Sequence, residues 1–273
     1  MTPTRQQEKA RALGELHRPG EPLVLANVWD ALGARLVAAA GARAVATASA
    51  SVSWTLGSAD GDAADREEVL ARTAQIVRSV GLPVTADLET GFGATAAEVG
   101  ETVTALVATG AVGVNLEDAA RPADEAAERI AAARAAAGGA GVDLFVNART
   151  DVFLRRIGDP AGRLDEAVRR LRAYVEAGAD GVFVPGVADR ETIAALVAAV
   201  PAPLNVLAGP GSPSVPELAE LGVARVSLGP GLAEAAYAVV RRAAEEVYTA
   251  GTYTALDGGL TYPELNALAL GRD

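Results

Sequence analysis

One pattern recurs along the whole chain and limits what it can become: a short apolar run, then a stretch with helical spacing, eight times over. The runs are 23–28, 44–49, 84–89, 113–118, 144–150, 181–186, 204–208 and 224–229. They are apolar throughout rather than alternating, as expected of parallel strands buried on both faces. Between them, Val99, Val103, Leu106 and Val107, or Ile193, Leu196, Val197 and Val200, fall on one face of a helix. Helices are expected near 30–40, 66–79, 95–109, 123–137 and 231–248. Phrases such as Thr109-Gly110-Ala111 and Ala177-Gly178-Ala179 read as a helix-ending glycine followed by re-entry into the sheet. Eight such units predict a (β/α)8 TIM barrel. An open doubly wound sheet is the alternative, and the absence of GxGxxG after the first run removes its strongest sign. The 273 residues fit one barrel domain. Its predicted parts are an N-terminal helix within 1–20, with helical spacing over 3–17, the barrel over 21–248, and a helical extension over 249–273. The apolar face of Leu260, Leu265, Leu268 and Leu270 in that extension predicts a contact between subunits.

Composition narrows the chemistry. A net charge of −11 without any basic run argues against nucleic acid or an acidic membrane as partner. No apolar stretch approaches the roughly 18 residues of a membrane span, and the N-terminus lacks a signal-peptide core. A soluble, cytoplasmic protein is the expectation. There is no cysteine, the single lysine is Lys9 and the single histidine is His17, both upstream of the first strand. Unless the N-terminal segment folds back over the site, a Schiff-base lysine, a Ser-His-Asp triad and a histidine-bound zinc are excluded. What is left is carboxylates, arginine, hydroxyls and backbone, a set that suits a hard cation such as Mg2+, with Mn2+ as its substitute.

In a barrel the chemistry belongs at the C-terminal ends of strands. There the chain puts Thr47, Ala48 and Ser49 after the second run, with Asp60 in the loop beyond, and Asp87 and Glu89 at the third. The fourth adds Asn115, Glu117 and Asp118, the fifth Asn147, Arg149 and Asp151, the seventh Asn205. On a strand, Asp87 and Glu89 leave the same face and can meet one cation. Arg149 can grip a substrate carboxylate through its planar fork. Plainer readings stand beside these: Asp87 and Glu89 as solvated loop acids, Arg149–Asp151 as a structural ion pair, Glu117 or Asp118 as a helix cap, and Asn205 as a partner for backbone groups.

Three motifs in this order, Asp87-Leu-Glu-Thr-Gly-Phe-Gly93, Gly113-Val-Asn-Leu-Glu-Asp118 and Asn147-Ala-Arg-Thr-Asp151, resemble the isocitrate lyase and phosphoenolpyruvate mutase superfamily, on its phosphoenolpyruvate mutase side. The resemblance spans about residues 23 to 248. It implies a Mg2+-dependent barrel, a dimer or tetramer that swaps C-terminal helices, and a small 2-oxo acid substrate. Bonds next to the oxo group, C–C or C–P, would be made or broken through an enolpyruvate-like state. It further implies that Asp87 ligates the metal directly and that Asp60, Glu89 and Glu117 act through metal-bound waters. Thr47, Ala48 and Ser49 would hold the substrate carboxylate and oxo group, and Arg149 would balance developing charge. The departures are as informative. The lyase branch's Lys-Arg-Cys-Gly-His loop is replaced by Ala119-Ala-Arg-Pro-Ala-Asp-Glu125, which leaves Arg121 and Asp124 as its polar residues. True isocitrate or methylisocitrate cleavage is therefore not expected. The mutase branch's lysine and asparagine are absent there too, and Pro185-Gly186 stands where relatives carry Glu or His. A carbon–carbon lyase is the leading expectation. A phosphoenolpyruvate mutase or phosphonopyruvate hydrolase, or a catalytically silent barrel that binds metal and oxo acid, is the alternative.

Overall fold

The computed structural model describes residues 4–271. Its strands are β1 (Leu23–Leu25), β2 (Val45–Ala46), β3 (Val84–Asp87), β4 (Gly113–Glu117), β5 (Phe145–Arg149), β6 (Gly181–Val184), β7 (Leu204–Leu207) and β8 (Arg225–Ser227). The helices are α1 (Arg5–Glu15), α2 (Ala31–Ala39), α3 (Ser49–Thr55), α4 (Arg66–Ser79), α5 (Ala96–Ala108), α6 (Ala123–Gly139), α7 (Arg163–Glu176), α8 (Arg190–Ala199), α9 (Val215–Glu220), α10 (Gly231–Thr249) and α11 (Tyr262–Leu270). All eight strands are parallel, in the order β1-β8-β7-β6-β5-β4-β3-β2. A bridge between Val28 and Thr47 joins the remaining edges, so the sheet closes as the expected TIM barrel. Among the described residues no helix is long and apolar enough to cross a membrane.

Each strand is shorter than its apolar run, because the last one to three residues turn away to build the mouth. The helices at 66–79, 96–108 and 123–139 match their predicted spans within two residues. Local chemistry fixes their starts: Thr95 and Glu98 form a reciprocal capping box on α5, and Asp65 accepts from the Glu67 and Glu68 amides on α4. α3 was not anticipated, since Ser49–Thr55 has neither charge nor a clear apolar face. Ser49 is thus the first residue of a helix.

The N-terminal helix plugs the far end of the barrel. Gln6 donates to the Val107 and Ala111 carbonyls, and Leu13 packs so closely on Gly113 that a β-carbon there would sit 2.7 Å from Leu13 Cδ2. His17 stacks on Phe145, the first residue of β5, at 3.8 Å, and burial pushes its pKa down to about 3. Neither Lys9 on α1 nor His17 therefore approaches the C-terminal mouth, and the chemistry they would bring is absent from it. At the other terminus, α11 packs on α2, where Arg35 donates to the Leu268 and Ala269 carbonyls. Leu265 and Leu268 are half-buried in this packing, whereas Leu260 and Leu270 stay exposed.

Candidate active site

Glu117 and Arg149 end adjacent strands in direct register. Arg149 Nη1 lies 2.7 Å from Glu117 Oε2, and its Nε donates to Asp151 Oδ1 at 2.7 Å. Arg155 closes the cluster from the next turn, with Nε 2.9 Å from Asp151 Oδ2 and Nη2 3.8 Å from Glu117 Oε1. The ion-pair reading of Arg149 and Asp151 is therefore what the fold contains. Nη2 of Arg149 makes no such contact and is the open tooth of the fork. The guanidinium lies 5.8 Å over the Phe183 ring, within cation–π range. Burial dominates at Glu117 and pushes its carboxyl up to about 8 despite the opposing pull of Arg149. At Arg149 burial works against the charge, but Glu117, Asp151 and Asp87 outweigh it and raise the pKa.

Asp87 stands beside this cluster without an ion-pair partner. Its amide donates to Thr47 Oγ1 at 2.9 Å, and its Oδ1 accepts from the Glu89 amide at 3.2 Å. Burial raises its pKa most, while Arg149 lowers it and Asp60 raises it. Glu89 does not share a strand face with Asp87 as period-two spacing predicts. β3 ends at Asp87, and Glu89 adopts φ +51, a left-handed conformation uncommon outside glycine. Its carboxylate turns to the Asp62 amide instead of continuing the strand face. It stays within the acidic group all the same: burial pushes it up to about 7, with Asp60, Asp62 and Asp87 adding to the rise. Asp60 itself is exposed on the loop above.

The other expected residues separate into roles. Thr47 uses its hydroxyl to position the Asp87 backbone, and its carbonyl accepts from Asn27 Nδ2. Ala48 caps α3 with no side-chain acceptor, and Ser49 is buried at the start of that helix. Asp118 is no part of the mouth, and neither it nor Glu117 caps a helix, since the α6 cap is Pro122. One residue beyond Glu117, Asp118 points into the helical layer and accepts from Thr150 Oγ1, the Asp151 amide, Arg170 Nη1 and Tyr174 OH, all within 3.0 Å. It anchors the loop that carries Asp151. Asn115 and Asn147 form a layer inside the barrel, where Asn115 Oδ1 accepts from Asn147 Nδ2 and Arg225 Nη2. Asn205 lies fully buried in β7, its Oδ1 accepting from Ser227 Oγ and its Nδ2 without a partner. Leu207, not Asn205, is the β7 residue at the mouth.

In the loop 119–125, Arg121 is paired with Glu125 at 3.2 Å, and Asp124 accepts from the Glu125 amide. Three contributors were missed in the sequence. Asp62 ties the loop after α3 to Glu89 and Thr90, Arg155 closes the ion-pair cluster, and Arg129 clamps the glycine turn through the Gly93 and Ala94 carbonyls. Only Arg155 left a signal, being one helical turn beyond Asp151.

Among the described residues, no three carboxylate or histidine side chains close on a single point. A cation would thus have at most two direct ligands from these side chains, with other acids around it. The donors fit a hard cation in chemistry: all are oxygen, Asp87 lacks a counter-ion, and neighbouring acids mutually raise one another.

The family model for phosphoenolpyruvate phosphomutase matches residues 13–248. A Burkholderia cenocepacia structure solved as a candidate phosphonomutase is 46% identical, with a TM-score of 0.84, over 88% of this chain and 99% of that one. An oxaloacetate decarboxylase of Bradyrhizobium is 30% identical over 89% of this chain and 83% of its own length. A phosphonopyruvate hydrolase complex with oxalate and Mg2+ superposes with a TM-score of 0.82 at 27% identity, over 96% of this chain and 95% of that one. The chain belongs to the phosphoenolpyruvate phosphomutase family, within the isocitrate lyase and phosphoenolpyruvate mutase superfamily of lyases, mutases and hydrolases.

Proposed function

We propose that this chain is a Mg2+-dependent lyase that breaks or forms a C–C bond alpha to the carbonyl of a small 2-oxo acid through an enolpyruvate-like state. The observation that carries the reading is Asp87, a carboxylate with no ion-pair partner, set among Glu89, Glu117 and Asp60 beside the open Nη2 of Arg149. Asp87 would ligate the cation, with Mn2+ able to replace Mg2+, while Glu89, Glu117 and Asp60 complete the acidic surround. When bound, the cation supplies Lewis-acid stabilisation where negative charge grows on the oxo oxygen. Of the segment Thr47, Ala48 and Ser49, the first two amides donate to the Thr85 and Val28 carbonyls, so the substrate carboxylate is received by the Ser49 amide and hydroxyl, and Arg149 faces the charge that develops. Asn205 supports that pocket from within the barrel. Glu117 and Glu89, held up to about 8 and about 7, are carboxyls able to carry a proton near neutral pH in a site without cysteine, lysine or histidine.

C–C chemistry is favoured over C–P chemistry because the loop 119–125 offers no lysine and engages Arg121 with Glu125. The oxaloacetate decarboxylase likeness supports the same choice. The test is pyruvate and phosphate release from oxaloacetate, phosphonopyruvate and a panel of 2-hydroxy-dicarboxylates, with Mg2+ and with EDTA. Pyruvate without phosphate, abolished by EDTA, is expected. Phosphate release would move the reading to a hydrolase, and neither Mg2+ binding nor turnover on any substrate would sink it.

The assembly is read as a dimer or tetramer that exchanges C-terminal helices. α10 buries only Ala233, leaves Tyr237, Val240 and Tyr248 exposed, and leaves Val24 of β1 uncovered at 40% exposure. Light scattering on the purified protein should give a multimer; a monomer contradicts it.

A further inference from the structure

An apolar pocket of about 630 Å³ opens at the same end of the barrel as the acids, formed by the turns after β6, β7 and β8. That volume is typical of small-molecule sites, which run from roughly 300 to 1,000 Å³. Its walls include Val187, Leu207, Ala208, Leu228 and Leu232, and its polar side chains are Ser212 and Glu234. Ser212 is already engaged, accepting from the Gly209 amide, and Glu234 is exposed at the start of α10. No lysine, arginine or histidine lines the space, so a phosphoryl or carboxylate group entering it would lose its hydration and find no cation.

The pocket shares a wall with the acid–arginine cluster. Gly186, at φ +88, lies against the loop that carries Asp151 and Arg155, so closely that a β-carbon would sit 2.8 Å from the Leu154 amide nitrogen. Phe183, on the strand leading to Gly186, is the ring beneath Arg149 and is in register with both Arg149 and Asn205. A substrate held by its carboxylate and oxo group on the β2–β5 side would thus have its remaining substituent facing hydrocarbon on the β6–β8 side.

We propose that the substrate carries an apolar alkyl or aryl group of several carbons beyond the reacting bond, seated in this pocket, so that the substrate class is an alkylated 2-oxo acid or the 2-hydroxy diacid that yields one. This rests on the 2-oxo acid reading above. Each methylene transferred from water into the pocket should tighten binding about threefold to fourfold.

The test uses the full-length protein with Mg2+ and straight-chain 2-oxo acids from pyruvate to 2-oxooctanoate, with oxalate as the chainless control, by calorimetry. Affinity should rise by that factor per methylene until the pocket is full. Ala208→Phe and, from a different element, Leu232→Trp should each flatten the dependence on chain length, read as the ratio of 2-oxooctanoate to pyruvate affinity within each variant. Oxalate binding with no gain along the series overturns this proposal alone, as would follow if another copy of the chain fills the space. A gain that both filling variants leave intact places the chain elsewhere and also overturns it. Failure of oxalate and every 2-oxo acid to bind overturns it together with the reading it rests on.

Discussion

The barrel mouth has two unlike halves. After β2 to β5 the loops carry Asp60, Asp87, Glu89, Glu117, Arg149 and Asp151; after β6 to β8 they carry Val187, Leu207, Ala208 and Leu228. The backbone differs in the same sense. Every non-glycine residue with positive φ among the described residues, namely Asp62, Glu89, Phe92, Ala119, Ala120 and Arg156, lies in the first half. In the second half, positive φ falls only to glycines, at Gly186, Gly211 and Gly229. Side chains in the left-handed region cost about 1 kcal/mol or more each and persist where surrounding contacts over-determine them. The first half thus holds its groups in place at a conformational cost, whereas the second is a smooth cavity shaped by turns that cost little. Fixed charge geometry needs the former, and a deformable apolar group tolerates the latter.

The strongest way to break this contrast is to remove the unpaired acid. Asp87→Ala should lower turnover on the order of a thousandfold and abolish the Mg2+ requirement, since neither Glu89 nor Glu117 is free to replace it. A loss below tenfold, with Mg2+ dependence intact, would show that the polar half is not organised around Asp87.

Next in size is the support under that half. Asp118→Asn leaves Arg170 and Tyr174 facing a neutral amide in a buried network. Breaking one partner of a buried pair costs about 3 kcal/mol, which for a chain of this size lowers Tm by about 5 °C. Thermal unfolding checks this, and an unchanged Tm would show that the loop holding Asp151 is fixed by something else.

These residues also mark how far the sequence could be read. Asp87, Glu117 and Arg149 were legible because strand-end position and residue type suffice once the eight-fold repeat is seen. Direction was not: Glu117 and Asp118 are neighbours, yet one meets Arg149 in the mouth and the other meets Tyr174, 56 residues away, behind it. Glu89 lies near the other acids by a route that period-two spacing cannot foresee, because its carboxylate is aimed by a left-handed turn. Asp62 and Arg129 were invisible because each acts on a loop backbone brought to it only by tertiary folding. The apolar half was invisible for a further reason. Valine, leucine and alanine after a strand read equally well as core, and only closure of the turns over β6–β8 makes them a cavity.

A smaller effect concerns pH. Glu89 and Glu117 have folded pKa values pushed up to about 7 and about 8, above the usual carboxylate range. Between that ordinary range and those values the folded state binds more protons than the unfolded chain. Stability of the metal-free protein should therefore fall as pH rises from about 5 to about 8. Added Mg2+ should flatten or reverse the slope, because it favours the ionised acids. Melting curves across that window with EDTA and with Mg2+ check both signs. A metal-free protein that gains stability over the same range would mean the acids are already compensated by arginine, and the polar half would need no cation.

The smallest expected effect isolates the backbone contrast itself. Ala120 sits at φ +69 in the loop after β4, next to Ala119 at φ +45, and its amide donates to Asp118 Oδ1. Ala120→Gly relieves the left-handed strain but frees the unfolded chain, two terms of opposite sign and similar size. Relief should win by about 0.5 kcal/mol, raising Tm by about 1 to 2 °C. The same substitution loosens the turn between Glu117 and the start of α6, so turnover should fall modestly while oxalate affinity changes less. Ser212→Gly, in the other half, replaces a negative-φ residue and removes an acceptor from the Gly209 amide, so it should lower Tm instead. Opposite signs for the two glycine substitutions would confine the strain to the side that bears the charges; the same sign for both would mean that the mouth is strained throughout and that charge placement does not account for it.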